Sequence, residues 1–157
     1  MRILFVCLGN ICRSPTAEGV FEAMVVEQGH SDWIKVDSCG TGDWHLGYPP
    51  DRRAQAVAIE RGYDLSLLRS RQIKAADFKK YHYILAMDDS NLADLEMMKP
   101  ESFSGHLGLF LDYVPEVELQ EVPDPYYGNN DGFSYVLDLV EQASAALLAE
   151  IVRAHRD

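Results

Sequence analysis

Val6-Cys7-Leu8-Gly9-Asn10-Ile11-Cys12-Arg13-Ser14 joins an apolar run, Ile3-Leu4-Phe5-Val6, to Pro15 and a segment with apolar residues at Ala17, Val20, Phe21, Met24 and Val25. A continuous apolar run of this length suits a strand buried on both faces of a parallel sheet. The later spacing marks one face of a helix, with Ser14 as N-cap and Pro15 at the first helical position. The stretch is therefore expected to be strand, tight loop, helix. A helix N-terminus offers partial positive charge and unpaired N–H groups, and Arg13 adds a full charge. Gly9 and Asn10 tolerate left-handed backbone, so the loop can curl with its amides inward. Such a loop binds a tetrahedral oxyanion and favours the thiolate of Cys7, the form in which a cysteine is nucleophilic. Arg13 can grip two oxygens in a fork, and Ser14 can donate to the sulfur. No Gly-Lys-Ser/Thr follows, so this is not a nucleotide-binding P-loop.

Outward from there, strands alternate with helices. Trp33 to Asp37 reads as a second strand, followed by a loop from Ser38 to His45. Pro49-Pro50-Asp51 opens a helix closed by Gly62. Lys74 to Lys79 is a short helix and Tyr83 to Met87 a third strand. Asp88-Asp89-Ser90-Asn91 caps a helix that stops before Pro100. Leu107 to Leu111 is a fourth strand, Val114 to Tyr127 an irregular acidic loop, and Asp131 to His155 the last helix. This pattern gives an α/β fold, a three-layer α/β/α sandwich on a four-stranded parallel sheet. Ligands in such folds bind beyond the carboxyl ends of the strands, which places Cys7 in the crevice.

The 157 residues suit a single domain, 1–157, with one core. A formal charge of −11 disfavours nucleic-acid binding. The window from Arg52 to Lys80 holds eight basic and three acidic residues, an excess of five that leaves −16 on the rest. It is either a solvated helical face or a surface attracting an acidic substrate. No run is long enough for a membrane helix, and three cysteines make no disulfide framework, so reduced thiols and a cytoplasmic location are expected. His30, His82, His106 and His155 form no metal-like spacing, and no cofactor is expected.

Phosphoryl transfer through a cysteine needs a group to protonate the leaving oxygen and later activate water. Asp124, held between Pro123 and Pro125 and followed by Tyr126 and Tyr127, is the candidate. The same residues also make a plain turn.

The segment from Cys7 to Pro15, together with Asp124-Pro125-Tyr126-Tyr127-Gly128, resembles the low-molecular-weight protein tyrosine phosphatases. The similarity extends through Asp37-Ser38, Asp43-Trp44, Pro49-Pro50-Asp51, Arg71-Gln72 and Met87 to Leu92. The resemblance implies hydrolysis of protein phosphotyrosine through a cysteinyl phosphate. Cys7 would be the nucleophile, and Arg13 with the loop Leu8, Gly9, Asn10, Ile11, Cys12 and Ser14 would bind phosphate. Asp124 would be acid and then base. Asn10, Ser14, Ser38 and Asp88 would support the loop. Trp44, His45, Tyr126 and Tyr127 would wall the cleft, although His45 also reads as an ordinary solvated loop residue.

The resemblance further implies a redox pair, Cys7 and Cys12, and no metal or other cofactor. The partners it implies are a phosphotyrosine protein, with a tyrosine kinase as one candidate, and inorganic phosphate as product and competitive ligand. Membranes and nucleic acids are not among them. Cys39 has no matching role and reads as a core thiol. Leu68 stands where relatives often carry a histidine of the loop's support. Ile11 replaces the threonine of phosphoarginine-cleaving relatives. Arsenate reduction is the rival chemistry, and no cysteine between Tyr81 and Asp94 serves it. A silent phosphopeptide-binding module is the non-enzymatic rival, and it needs neither thiolate nor acid.

Overall fold

The computed structural model describes residues 1–114, 120–126, 128 and 130–156. Four strands, β1 (Arg2–Cys7), β2 (Lys35–Gly40), β3 (Tyr83–Ala86) and β4 (His106–Leu109), form one sheet in the order β2-β1-β3-β4. All three pairings are parallel. The helices are α1 (Arg13–Glu27), α2 (Arg52–Glu60), α3 (Asp77–Lys80), α4 (Asp89–Met98) and α5 (Asn130–Arg156).

β1 is central, and its period of two divides the core. Ile3, Phe5 and Cys7 face the layer that holds α1 and α5, while Leu4 and Val6 join the cluster under α4. Phe5 meets Phe21 of α1 and Phe110 at ring-centroid distances of 5.7 and 4.8 Å. Each such fully buried side chain contributes about 1.5–3 kcal/mol. The chain leaves β1 toward β2 on one side and reaches β3 on the other. The ends of β1 and β3 therefore flank the point where the strand order reverses, and Cys7 lies at that crevice.

Several boundaries differ from expectation. α3 covers Asp77–Lys80 rather than Lys74 to Lys79, because the Asp77 carboxylate takes the Lys74 amide and holds the residues before it in a turn. Ser14 is not the cap of α1. The helix starts at Arg13, and the N-cap Cys12 makes no side-chain cap bond. The Ser14 hydroxyl is taken by the site, and Pro15 costs nothing in the first turn because its missing N–H has no helical partner there. β2 is displaced toward its C-terminus. The amides of Trp33 and Ile34 turn back to the carbonyl of His30, while Cys7 pairs with Gly40. β4 ends at Leu109, and Phe110–Tyr113 forms a 3-10 turn.

Candidate active site

The loop from Cys7 to Cys12 is inside out relative to an ordinary turn. Its carbonyls are claimed from outside: Cys7 by the amide of Thr41, Leu8 by Gly42, Ile11 by Asp51, Gly9 by the Ser70 hydroxyl and Cys12 by the Thr16 hydroxyl. Among the described residues, the amides of Gly9 through Cys12 meet no protein acceptor. Amides left pointing inward make an anion-binding concavity. Asn10 provides the sharp bend, at φ 57°. Gly9 is not left-handed, contrary to expectation. It is small because a Cβ there would lie 2.9 Å from the His45 ring. Gly40 matters in the same way, since a Cβ would stand 2.6 Å from the Leu8 carbonyl oxygen.

Asn10 also anchors the loop through its side chain. Its Nδ2 donates to Ser14 Oγ at 2.8 Å and to Ser38 Oγ at 2.9 Å. Its Oδ1 accepts the amide of Arg71 at 3.0 Å. Ser14 Oγ lies 2.9 Å from Cys7 Sγ, and Ser38 Oγ donates to Glu18 Oε1 at 2.6 Å. Leu68 is only half-buried, and its segment supports the loop through Ser70 and Arg71 instead. Arg71 is itself held by Asp37 and Asp77. Glu18, Ser70 and Gly40 escaped the sequence reading. Ser70 and Gly40 carry no chemical signature, and Glu18 looks like any surface residue of a helix.

All three cysteines are free and buried. Burial, then the charge of Asp51, pushes the Cys12 thiol up; burial does the same to Cys39. Both are thereby held as thiols, while Cys7 alone carries the Ser14 hydroxyl against its sulfur.

Arg13 is 2 % exposed. Its Nη1 donates to Asp88 Oδ2 at 2.6 Å and to the Val122 carbonyl at 3.1 Å, and its Nη2 lies 3.6 Å from Asp124 Oδ2. Burial opposes its charge, but Cys7, Asp88 and Asp124 outweigh burial and shift the group upward. Asp88 is also the N-cap of α4, accepting the amide of Asn91 at 2.8 Å. A capping residue at the end of β3 thus aims the arginine at the end of β1.

Over this floor lies a cleft of about 460 Å³ lined by Cys7, Leu8, Gly9, Ile11, Cys12, Arg13, Trp44, His45, Asp124 and Tyr126. The structure therefore brings Cys7 and Arg13, at the two ends of one loop, together with Asp124 from a segment distant in the sequence, at one cavity. The His45 and Tyr126 rings stand 6.0 Å apart across it. Trp44 is exposed and crosses Gly42, where a Cβ would strike the indole. Tyr127 falls outside the described residues.

Asp124 Oδ1 accepts the amide of Tyr126 at 3.1 Å. Arg53 ties this turn down by donating to the carbonyls of Tyr126 and Gly128 at 2.8 and 3.1 Å. It is oriented by Asp51 at 3.0 Å and stacks over Phe133 at 4.5 Å. The basic window is thus partly consumed internally, because Arg53, Arg61 and Arg71 all sit in ion pairs.

The model of the family described as low molecular weight phosphotyrosine protein phosphatase matches residues 2–157. A Bacillus subtilis low molecular weight protein-tyrosine-phosphatase is 40 % identical over 149 residues, covering 95 % of this chain and 94 % of the relative. The crystal structure of a protein tyrosine phosphatase from Entamoeba histolytica, with Hepes in the active site, superimposes with a TM-score of 0.94. It is 37 % identical and covers 99 % of both chains. A Drosophila arginine phosphatase structure aligns at a TM-score of 0.91 and 33 % identity, over 96 % of this chain and 98 % of that one. The four-stranded parallel sheet, with a loop between its first strand and first helix, is shared with these structures. By sequence and by fold, the chain belongs to the low molecular weight phosphotyrosine protein phosphatase family, a family of phosphoric monoester hydrolases.

Proposed function

We propose that the chain hydrolyses protein phosphotyrosine and small aryl phosphates through a cysteinyl phosphate on Cys7. The observation that carries this reading is the convergence of Cys7, Arg13 and Asp124 on one cleft floored by unpaired loop amides. The phosphoryl group sits in the concavity, its oxygens held by the loop amides and by Arg13. Cys7 Sγ attacks phosphorus, forming the S–P bond as the P–O bond to the aryl group breaks. Asp124 gives its proton to the departing oxygen. Its carboxylate then takes a proton from water as the water oxygen attacks phosphorus and the S–P bond breaks. The fixed positive field of Arg13 and the amides matches the charge that builds on the equatorial oxygens. Asn10, Ser14, Ser38 and Asp88 hold this geometry. When a peroxide oxidises Cys7 to a sulfenic acid, the Cys12 thiol condenses with it, water leaves, and the disulfide guards Cys7 against further oxidation.

Ile11 and the rings of Trp44, His45 and Tyr126 give the cleft an apolar wall suited to an aryl ring. The protein substrate carries phosphotyrosine, with a tyrosine kinase among the candidates, and inorganic phosphate is both product and competitor. The likeness to an arginine phosphatase makes phosphoarginine the competing substrate. A steady-state comparison of phosphotyrosine, phosphoserine and phosphoarginine peptides tests the reading. Phosphotyrosine is expected to have the highest kcat/KM, and a preference for phosphoarginine would overturn the substrate assignment.

A further inference from the structure

Glu18 is a buried carboxyl beneath the loop that the mechanism above does not use. It is 8 % exposed, and among the described residues it forms no ion pair. Its partner is the Ser38 hydroxyl at 2.6 Å.

The hydrogens of the network can be assigned from the fixed donors. The Arg71 amide must donate, so it fixes the Asn10 oxygen toward itself and the Asn10 NH₂ toward the two serines. Each serine then spends a lone pair on Asn10 and keeps its own proton for the far side. Ser14 has the Cys7 sulfur at 2.9 Å and, less closely, the Cys39 carbonyl at 3.3 Å. Ser38 has the Glu18 carboxylate. Two arms of equal length thus run outward from Asn10, each ending on a group that accepts a proton best as an anion. A protonated Glu18 is a weaker acceptor, and its own O–H competes for the Ser38 oxygen that Asn10 needs.

We propose that Glu18 is a positioning residue for the nucleophile. Its ionised carboxylate draws the Ser38 proton and turns the Ser38 lone pair to Asn10, which holds the Asn10 amide and the Ser14 hydroxyl against the Cys7 sulfur. This inference rests on Cys7 being the nucleophile. The charged groups facing Glu18 are Glu22 on its own helix, Asp37 on β2 and Arg71 on the segment beyond α2. Burial, opposed by the Ser38 bond and by Arg71 and assisted by Asp37 and Glu22, pushes Glu18 up to about 7. The carboxylate arm is therefore made and lost around neutral pH.

The test measures kcat for para-nitrophenyl phosphate between pH 5 and 8 in wild type, E18Q, S38A and E18Q/S38A. Gln has the shape of the protonated acid and cannot ionise. The ratio of wild type to E18Q therefore isolates the charge of Glu18, and the titrations of Asp124 and the substrate cancel. A charge-assisted hydrogen bond exceeds a neutral one by about a factor of ten in an equilibrium, so the ratio is expected to rise about tenfold with a midpoint near pH 7. Between S38A and the double variant the ratio stays flat, because the effect passes through Ser38; Ser38→Thr, which keeps the hydroxyl, restores the rise. A flat ratio in the Ser38 background overturns the role, and so does an equal rise without Ser38. E18Q is isosteric, so the first comparison decides even if S38A does not fold. Turnover that survives Cys7→Ser would sink the parent reading; Cys7-dependent turnover with a flat ratio sinks only the role of Glu18.

Discussion

A buried carboxyl that ionises near neutrality should mark the stability of the whole fold. An ordinary glutamate titrates near 4.5, and Glu18 is pushed up to about 7, chiefly by burial. The folded protein then binds this proton more tightly than the unfolded chain. The associated stability is complete below pH 4.5 and is lost as pH rises to about 7. At 1.36 kcal/mol per pH unit the loss is about 3 kcal/mol, and it levels off above that range. E18Q has no such proton. Urea unfolding of wild type and E18Q at pH 4, 5, 6, 7 and 8 should therefore give curves that diverge between pH 4.5 and 7, with E18Q gaining on wild type by about 3 kcal/mol. Parallel curves would refute the reasoning and mean that Glu18 titrates as an exposed residue. Ionisation thus costs stability while completing the network beneath the nucleophile, a conflict common where a buried charge serves a site.

Three further outcomes follow from the geometry. Asp124→Ala should slow aryl phosphates with poor leaving groups by about 10²–10⁴-fold and good ones far less, read from kcat against leaving-group pKa; a uniform loss would remove Asp124 from the acid role. Asp88→Asn leaves the buried Arg13 without its closest carboxylate at 2.6 Å and should cost about 3–5 kcal/mol of stability, partly recovered by saturating phosphate in a thermal melt. Gly40→Ala pushes a methyl into the Leu8 carbonyl at 2.6 Å and should cost about 1–3 kcal/mol together with phosphate affinity measured by calorimetry.

The order of strands and helices was legible because β1 is an unbroken apolar run while the apolar residues of α1 recur at helical spacing, on either side of one loop. The left-handed Asn10 and the N-cap Asp88 were legible because each residue type has a local mechanical role. The boundaries of β2 were not, because the amides of the apolar Trp33 and Ile34 are drawn back to the His30 carbonyl and the Trp33 ring stacks on His155, while β1 pairs with β2 as far as Gly40. Ser14 looked like a cap because its local sequence offers that role, yet Cys7 and Asn10 hold its hydroxyl. The bonds of Asn10 to Ser38 and Arg71, and of Gly9 to Ser70, join positions 28 and 61 apart. Spacings of that length leave no periodic trace in a sequence.

The covalent step is the centre of the account. Rapid acid quench of the enzyme during turnover of an aryl phosphate, followed by digestion and mass spectrometry, reads it directly. The account predicts one phosphoryl group per chain on the peptide bearing Cys7, more of it in Asp124→Ala with a good leaving group, and none in Cys7→Ser. Undiminished turnover with no phosphorylated Cys7, or with the phosphoryl group on another residue, would contradict it.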